Sequence, residues 1–221
     1  MRTYDQYCPA ARALDVIGDR WTLLIVRELL NRQACRYTDL KAGLPGIASN
    51  LLADRLRDLE KEGILTREAA PPPVATTLFR LTPRGEALKP VLTALGEWGM
   101  PLLANASEDT AFCSHWLVVP LEYRLRDHAP ERRPVTIEVR TGDDEPVVIE
   151  TFDGSVRVRT GTAAHPDAVL SGPPPIVMDV LMRGADLASA RKRGLHFEGD
   201  AEAVRRVAGS EADGRESAPR S

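Results

Sequence analysis

The sequence predicts an α+β chain of two successive units, the first helical with a small β-ribbon, the second a sheet with helices. Two patterns carry that prediction. Between Thr38 and Gly85 the residues read as short helix, tight turn, amphipathic helix, two short strands around a Pro-rich tip, and a capped helix. Farther on, VTIEVR, PVVIETF and SVRVRT alternate apolar and polar residues with period two, as half-buried strands do. A third observation places the boundary: a helical, apolar-periodic segment gives way to the polar NASEDT at 105–110. The expected units are residues 1–104 and 111–208. The final stretch 209–221, GSEADGRESAPRS, has no apolar residue larger than Ala and is expected to be disordered.

Each element of the first unit has a local reason. Trp21, Leu24, Ile25 and Leu29 recur at helical spacing and give a helix from near Asp19 one buried face. Thr38 is the expected N-cap of a short helix ending at Gly43, and Leu44-Pro45-Gly46 supplies the turn. In the following helix, Ala48 to Glu62, Leu52, Leu56 and Leu59 form a core stripe at i, i+4 and i+7. Asn50, Ala53, Asp54, Arg57 and Lys61 fall on the opposite face, and Gly63 ends the helix. Ile64–Glu68 and Thr77–Leu81 are the expected strands, with the triplet Pro71–Pro73 in the tip. Thr82-Pro83 starts a last helix running toward Leu103, with Pro90 expected to kink it. Its stripe of Leu88, Val91, Leu95, Trp98 and Leu102 is broader than a small domain needs, which suits a homodimer seam.

That order of elements is the outline of a winged helix-turn-helix, whose second helix fits the DNA major groove. Charge distribution is compatible. The chain has a net charge of −3, but residues 1–104 carry 14 Lys/Arg against 12 Asp/Glu, and residues 105–221 carry 15 against 20. Affinity for DNA must therefore come from clustered cations in the first half, and the acidic second half is expected to face away from the duplex.

Cys8-Pro9, LDVIGDRWTLLIVREL, FRLTPRGEAL and LGEWG, in that order, resemble the HxlR family, a branch of the MarR-like winged-helix transcription factors. The resemblance covers about residues 7–100. It implies a homodimeric regulator that binds a double-stranded DNA operator and reads it with the helix from Ala48 to Glu62. Carried onto this sequence, Ser49 and Asn50 open that helix nearest the base edges, and Asn50 has an amide suited to adenine. Ala53 meets a thymine methyl, Arg55 and Arg57 reach phosphate or guanine, and Arg55 alternatively braces the core side. Arg36 and Thr38 are the expected phosphate contacts beside the shorter helix. Two departures stand out: Ala48 replaces a frequent Ser, shifting the expected cap to Ser49, and the wing tip lacks a basic residue. The wing is then left with Thr76, Thr77 and Arg80. In some members of the family the cysteine matching Cys8 is oxidised, and a thiolate near Arg12 or a helix N-terminus would react faster. The alternative role for Cys8 is a small buried hydrophobe.

In the second unit, Asp153-Gly154 is a hairpin signal, and HPDAVLSG is a fourth strand candidate. PPPIVMDVLMRG and ADLASARKRG read as helices closed by Gly184 and Gly194. LHFEGD is a last strand before the helix AEAVRRVAG. This succession, with FEGD as its sharpest piece, resembles the SCP2-like (sterol carrier protein-like) fold over about 95 residues. The resemblance implies an apolar tunnel for a small hydrophobic ligand, lined by Val119, Phe152, Val158, Met178, Leu181, Met182, Leu187 and Phe197. The competing reading is that these residues only fill a core. Arg191-Lys192-Arg193 is read as an exposed helix end.

Several classes of chemistry find no support. The histidines His115, His128, His165 and His196 are scattered without metal-site spacing, and Cys113-Ser114-His115 is too short to be a nucleophile–base pair. Asp143-Asp144-Glu145 sits in an expected turn between strands. No catalysis and no cofactor are expected. The cysteines Cys8, Cys35 and Cys113 are odd in number and widely spaced, which suits a reducing cytoplasm rather than a disulfide framework. No apolar segment approaches the roughly 20 residues that span a bilayer, and the N-terminal residues lack the apolar core of a secretory signal. The leading expectation is a regulator, of repressing sign, controlled by a small hydrophobic ligand in the second unit. A redox regulator switched through Cys8, and a lipid-binding protein whose winged unit only dimerises, remain as alternatives.

Overall fold

A computed structural model of the chain describes residues 3–70, 76–105, 107, 110–142 and 145–208. The wing tip 71–75, the acidic pair Asp143-Asp144 and the terminal stretch 209–221, each assigned a role from sequence, lie outside the described residues. The chain divides into two compact units between Ala111 and Phe112.

In the first unit, α1 (Pro9–Ile17) and α2 (Thr22–Arg32) precede a short strand β1 (Cys35–Arg36) and α3 (Tyr37–Ala42). Then come α4 (Ser49–Lys61), β2 (Leu65–Ala69), β3 (Thr77–Leu81), α5 (Pro83–Glu86) and α6 (Lys89–Gly99), followed by a 3-10 segment, Met100–Asn105. The three strands form one antiparallel sheet in the order β1-β3-β2, with Cys35 opposite Phe79 and Leu65 opposite Leu81. The sequence reading missed β1, because two residues are too short for an alternation to register. Ile25, Leu29, Leu40, Leu44, Ile47, Leu52, Leu56 and Leu59 belong to one core, which the predicted stripes of α2 and α4 both enter. Gly63 follows α4 with φ 67°, a left-handed conformation that glycine adopts without strain.

Three sequence expectations need correction. The N-cap of α3 is Arg36, not Thr38; the Arg36 N–H donates to the Asp39 carboxylate at 2.8 Å, which leaves Thr38 inside the first turn. Ala48, not Ser49, holds the N-cap of α4, without a side-chain cap. Pro90 does not kink a continuous helix: α5 ends at Glu86, and Pro90 lies in the first turn of a separate α6, where its missing N–H costs no hydrogen bond. Thr82 does cap α5, its hydroxyl accepting from the Gly85 N–H at 3.2 Å while donating to the Gly63 carbonyl at 2.6 Å. One side chain thus ties α5 to the end of α4.

The second unit opens with a 3-10 turn (Ser114–Leu117) and α7 (Val118–Arg124). Strands β4 (Thr136–Arg140), β5 (Val147–Phe152), β6 (Ser155–Thr160), β7 (Ala168–Ser171) and β8 (His196–Gly199) follow, with α8 (Pro174–Arg183), α9 (Leu187–Lys192) and α10 (Ala201–Val207) among them. The sheet order is β6-β5-β4-β7-β8, antiparallel except for the central β4-β7 pair. Asp153 and Gly154 both have positive φ (49° and 76°), as the β5–β6 hairpin turn requires. Reaching a parallel position beside β4 obliges the chain to cross back from β6. Glu138, buried on β4, receives the N–H of Ala163 in that crossing at 2.7 Å and pairs with Arg140 at 2.6 Å. Ile137 and Val139 alternate with it and are fully buried, as are Leu170, Val177 and Leu181. α10 packs on β4 and β7, and α7 on β6.

Candidate nucleic-acid interface

The helix-turn-helix is held by side chains that grip backbone carbonyls of its turn. Tyr37 of α3 donates its hydroxyl to the Ser49 carbonyl at 2.7 Å, and Lys41 donates to the Ile47 carbonyl. From α2, Arg27 donates to the Gly43 carbonyl at 3.2 Å and to the fully buried Glu28 carboxylate at 2.7 Å. These contacts fix the start of α4 relative to α2 and α3 before any partner is met. The sequence reading missed them, since nothing in spacing shows which polar side chains will turn toward a loop carbonyl.

On α4, burying Leu52, Leu56 and Leu59 leaves Ser49, Asn50, Asp54, Arg57, Asp58 and Lys61 exposed. Asn50, Asp54, Arg57 and Lys61 follow one another at i, i+4, i+7 and i+11, a single line along the outer face. Ala53 beside them is half-buried. Arg57 does not stand alone on this face: its Nη2 bonds Asp54 one turn back. Arg55 lies to the side, half-buried, paired with Asp19 ahead of α2 and with Asp58 at 3.0 Å. It thus links the segment ahead of α2 to α4.

Arg36 and Thr38 are exposed at the start of α3. On the wing, Thr77 and Arg80 are exposed and Thr76 is half-buried, its carbonyl accepting the Ala70 N–H at 2.8 Å to close the ribbon. Arg80 pairs across the strands with Glu68, and Arg67 with Glu60 of α4. The bond to Arg67 holds the Glu60 carboxyl below its usual range. The polar face therefore consists largely of guanidiniums held by neighbouring carboxylates. Exposed pairs of this kind are weak, so a phosphate or base edge can displace the carboxylate at small cost.

The remaining sequence-predicted positions fall elsewhere. Cys8 is the half-buried N-cap of α1. Burial pushes the Cys35 thiol up to about 12, which removes the reactive thiolate at neutral pH. In the second unit Val119, Val158, Leu181 and Met182 are buried, and Met178, Leu187 and Phe197 are half-buried. Phe152 does not join them: 58 % exposed at the end of β5, its ring lies under the Arg157 guanidinium at 5.8 Å. Of the eight, Leu187 borders an open cleft of about 830 Å³, whose walls include Val180, Arg183, Val204 and Arg205. Among the described residues no group of His, Cys, Asp and Glu could hold a metal ion, and no helix is long and apolar enough to cross a membrane.

Comparison with known proteins concerns the first unit. The family described as HxlR-like helix-turn-helix matches residues 16–107. The uncharacterized HTH-type transcriptional regulator YvaP of Bacillus subtilis (strain 168) is 35 % identical over 94 residues, which is 42 % of this chain and 86 % of that protein. The uncharacterized HTH-type transcriptional regulator sll1512 of Synechocystis sp. is also 35 % identical, over 45 % of this chain and 73 % of its own length. Among solved structures, a chain assigned to the MarR family of transcriptional regulators, from Porphyromonas gingivalis W83, shares 31 % identity. It covers 45 % of this chain and 97 % of its own length, with a TM-score of 0.41.

Proposed function

The chain belongs to the HxlR-like helix-turn-helix family, and from that premise we propose that it acts as a homodimeric, sequence-specific repressor read out through α4. It is a transcriptional regulator of the HxlR/MarR type with a DNA-binding helix-turn-helix. The observation that supports a reading role for α4 is the line Asn50, Asp54, Arg57 and Lys61, exposed on a helix whose opposite side is locked into the core. Such a face is what a major-groove helix presents. Arg36 and Thr38 beside it, and Thr76, Thr77 and Arg80 on the wing, are the proposed backbone contacts. Repression is the proposed sign, because a dimer seated on a promoter obstructs polymerase without further contacts. The exposed line Val91, Leu95, Trp98 and Leu102 on α6 and beyond supports dimerisation, since an apolar patch of this kind on a free surface calls for a partner. A mobility-shift titration of the full chain on DNA upstream of its own gene should give a specific, salt-sensitive complex that Asn50→Ala weakens. Binding without operator preference would overturn the reading.

We further propose a second layer, control by a small hydrophobic ligand in the second unit, at the cleft where Val180, Leu187 and Val204 lie among Asp179, Arg183, Asp186 and Arg205. Such control needs the ligand to prefer one DNA-binding state. A long-chain fatty acid titrated into the protein–DNA complex should release DNA from the unmodified chain and not from Val204→Arg. Equal behaviour of the two would remove the ligand layer while leaving operator binding intact. The redox alternative is separated by Cys8→Ser: oxidant sensitivity of DNA binding that survives this change excludes a switch at Cys8.

A further inference from the structure

The outer line of α4 contains one carboxylate among groups suited to nucleic acid: Asp54, between Asn50 and Arg57. A charge of that sign facing a phosphate-rich groove lowers affinity for every sequence alike, so on electrostatics alone it is a liability. The carboxylates paired with Arg55, Arg67 and Arg80 do not share this position, since Asp19, Asp58, Glu60 and Glu68 lie off the line. Asp54 also has a specific contact, taken up by Arg57 through Nη2. That geometry leaves Nε, Nη1 and the second N–H of Nη2 outside the carboxylate bond, so one bidentate edge of the Arg57 guanidinium stays available. An exposed pair of this kind is weak, but it biases the Arg57 guanidinium toward the rotamers that keep the bond, so its planar fork has a preferred direction.

We infer that Asp54 is a positioning residue for base recognition: it holds the Arg57 fork toward a guanine in the major groove, converting a general cation into a selective one. This rests on the reading of α4 as the DNA-reading helix. Bidentate arginine contacts discriminate guanine through its O6 and N7 acceptors, and they need the fork in register with those two atoms. An unrestrained Arg57 meets the nearest phosphate as readily. The carboxylate deepens the selectivity, because at a site lacking guanine it is brought close to the duplex with no compensating contact.

The test uses the full chain, with selection from a randomised double-stranded DNA library followed by affinity measurement on selected and scrambled duplexes. The unmodified protein should select guanine at one position of each half-site by about tenfold or more, and Arg57→Ala should erase that preference. Asp54→Ala should reduce the same preference to about threefold or less while raising affinity for scrambled DNA by about tenfold. Asp54→Asn, which keeps an accepting oxygen, should restore part of the preference. Both side chains are exposed, and unchanged thermal unfolding of the three variants will show that folding is not the cause. Retention of the full guanine preference by Asp54→Ala overturns the inference, as does loss of preference at a position that Arg57→Ala leaves untouched. Failure of the unmodified chain to select any sequence overturns the regulator reading and this inference together.

Discussion

A methyl group added at Gly43 would run into the Oε2 oxygen of Glu28, a carboxylate that is itself fully buried and bonded to Arg27. Neither side can retreat, because the same Arg27 holds the Gly43 carbonyl. Gly43→Ala should therefore destabilise the first unit by about 1–3 kcal/mol, seen as a lower unfolding midpoint; an unchanged midpoint would show that the Glu28 side chain moves aside freely. A second buried charge pair governs the other unit. Arg206 of α10 and Asp127, both nearly inaccessible, bond at 2.6 and 2.9 Å, and Arg206 also donates to the Arg133 carbonyl at 2.6 Å. The Arg206 guanidinium holds the Asp127 carboxyl below its usual range. A carboxyl depressed on folding contributes stability that is present above its unfolded pKa, about 3.9, and lost as pH falls through the lower folded value. Denaturant titrations should thus show stability declining below about pH 4. Asp127→Asn should flatten that acid limb and cost about 3 kcal/mol at neutral pH, since it leaves Arg206 buried without a counter-charge.

Among the elements, α6 is the one whose sequence exceeds its packing duties. Leu88 and Leu92 pack against the core of the first unit, whereas Val91 and Leu95 are nearly half exposed and Trp98 is 74 % exposed. The chain breaks at Ala87-Leu88 between the capped turn α5 and α6, so Pro90 stands in the first turn of α6 and helps to start the apolar face. If that face is the dimer seam, Leu95→Glu places a carboxylate in it and should convert the protein to a monomer in sedimentation. Operator affinity should fall by at least about tenfold, because each half-site is then bound singly. A dimer that persists at micromolar concentration would place the seam elsewhere.

At the scale of the whole molecule, a net charge of −3 makes DNA binding depend on where cations cluster rather than on their number. Binding should weaken steeply with salt all the same. Arg36→Ala, removing one of the proposed phosphate contacts per protomer, should lower the slope of log affinity against log salt by about two per dimer. Base preference should stay unchanged; a shift in preferred sequence would instead mark Arg36 as a base-reading residue.

Periodicity is a property of the chain, and whatever depends on it was legible beforehand. The leucine stripe of α4 dictates which side of that helix is outward, so Asn50 and Arg57 could be placed on the exposed face without coordinates. The alternating strands around Asp153-Gly154 and the glycine stops after α4 and α8 follow from the same local rules. Pairings between distant residues are not periodic, and only the tertiary structure decided them. It brought Asp19 to Arg55, linking the segment ahead of α2 to α4, and it carried β7 back beside β4 with Glu138 receiving the crossing chain. It also showed β1, too short to announce itself, and exposed Phe152, whose apolar character in sequence suggested burial. The physical reason is common to all of these. Hydrophobic spacing selects a face at a cost of many weak contacts and so prints itself on sequence. A charge or hydrogen-bond partner is chosen by proximity after folding, and one carboxylate looks like another until the chain has brought an arginine to it.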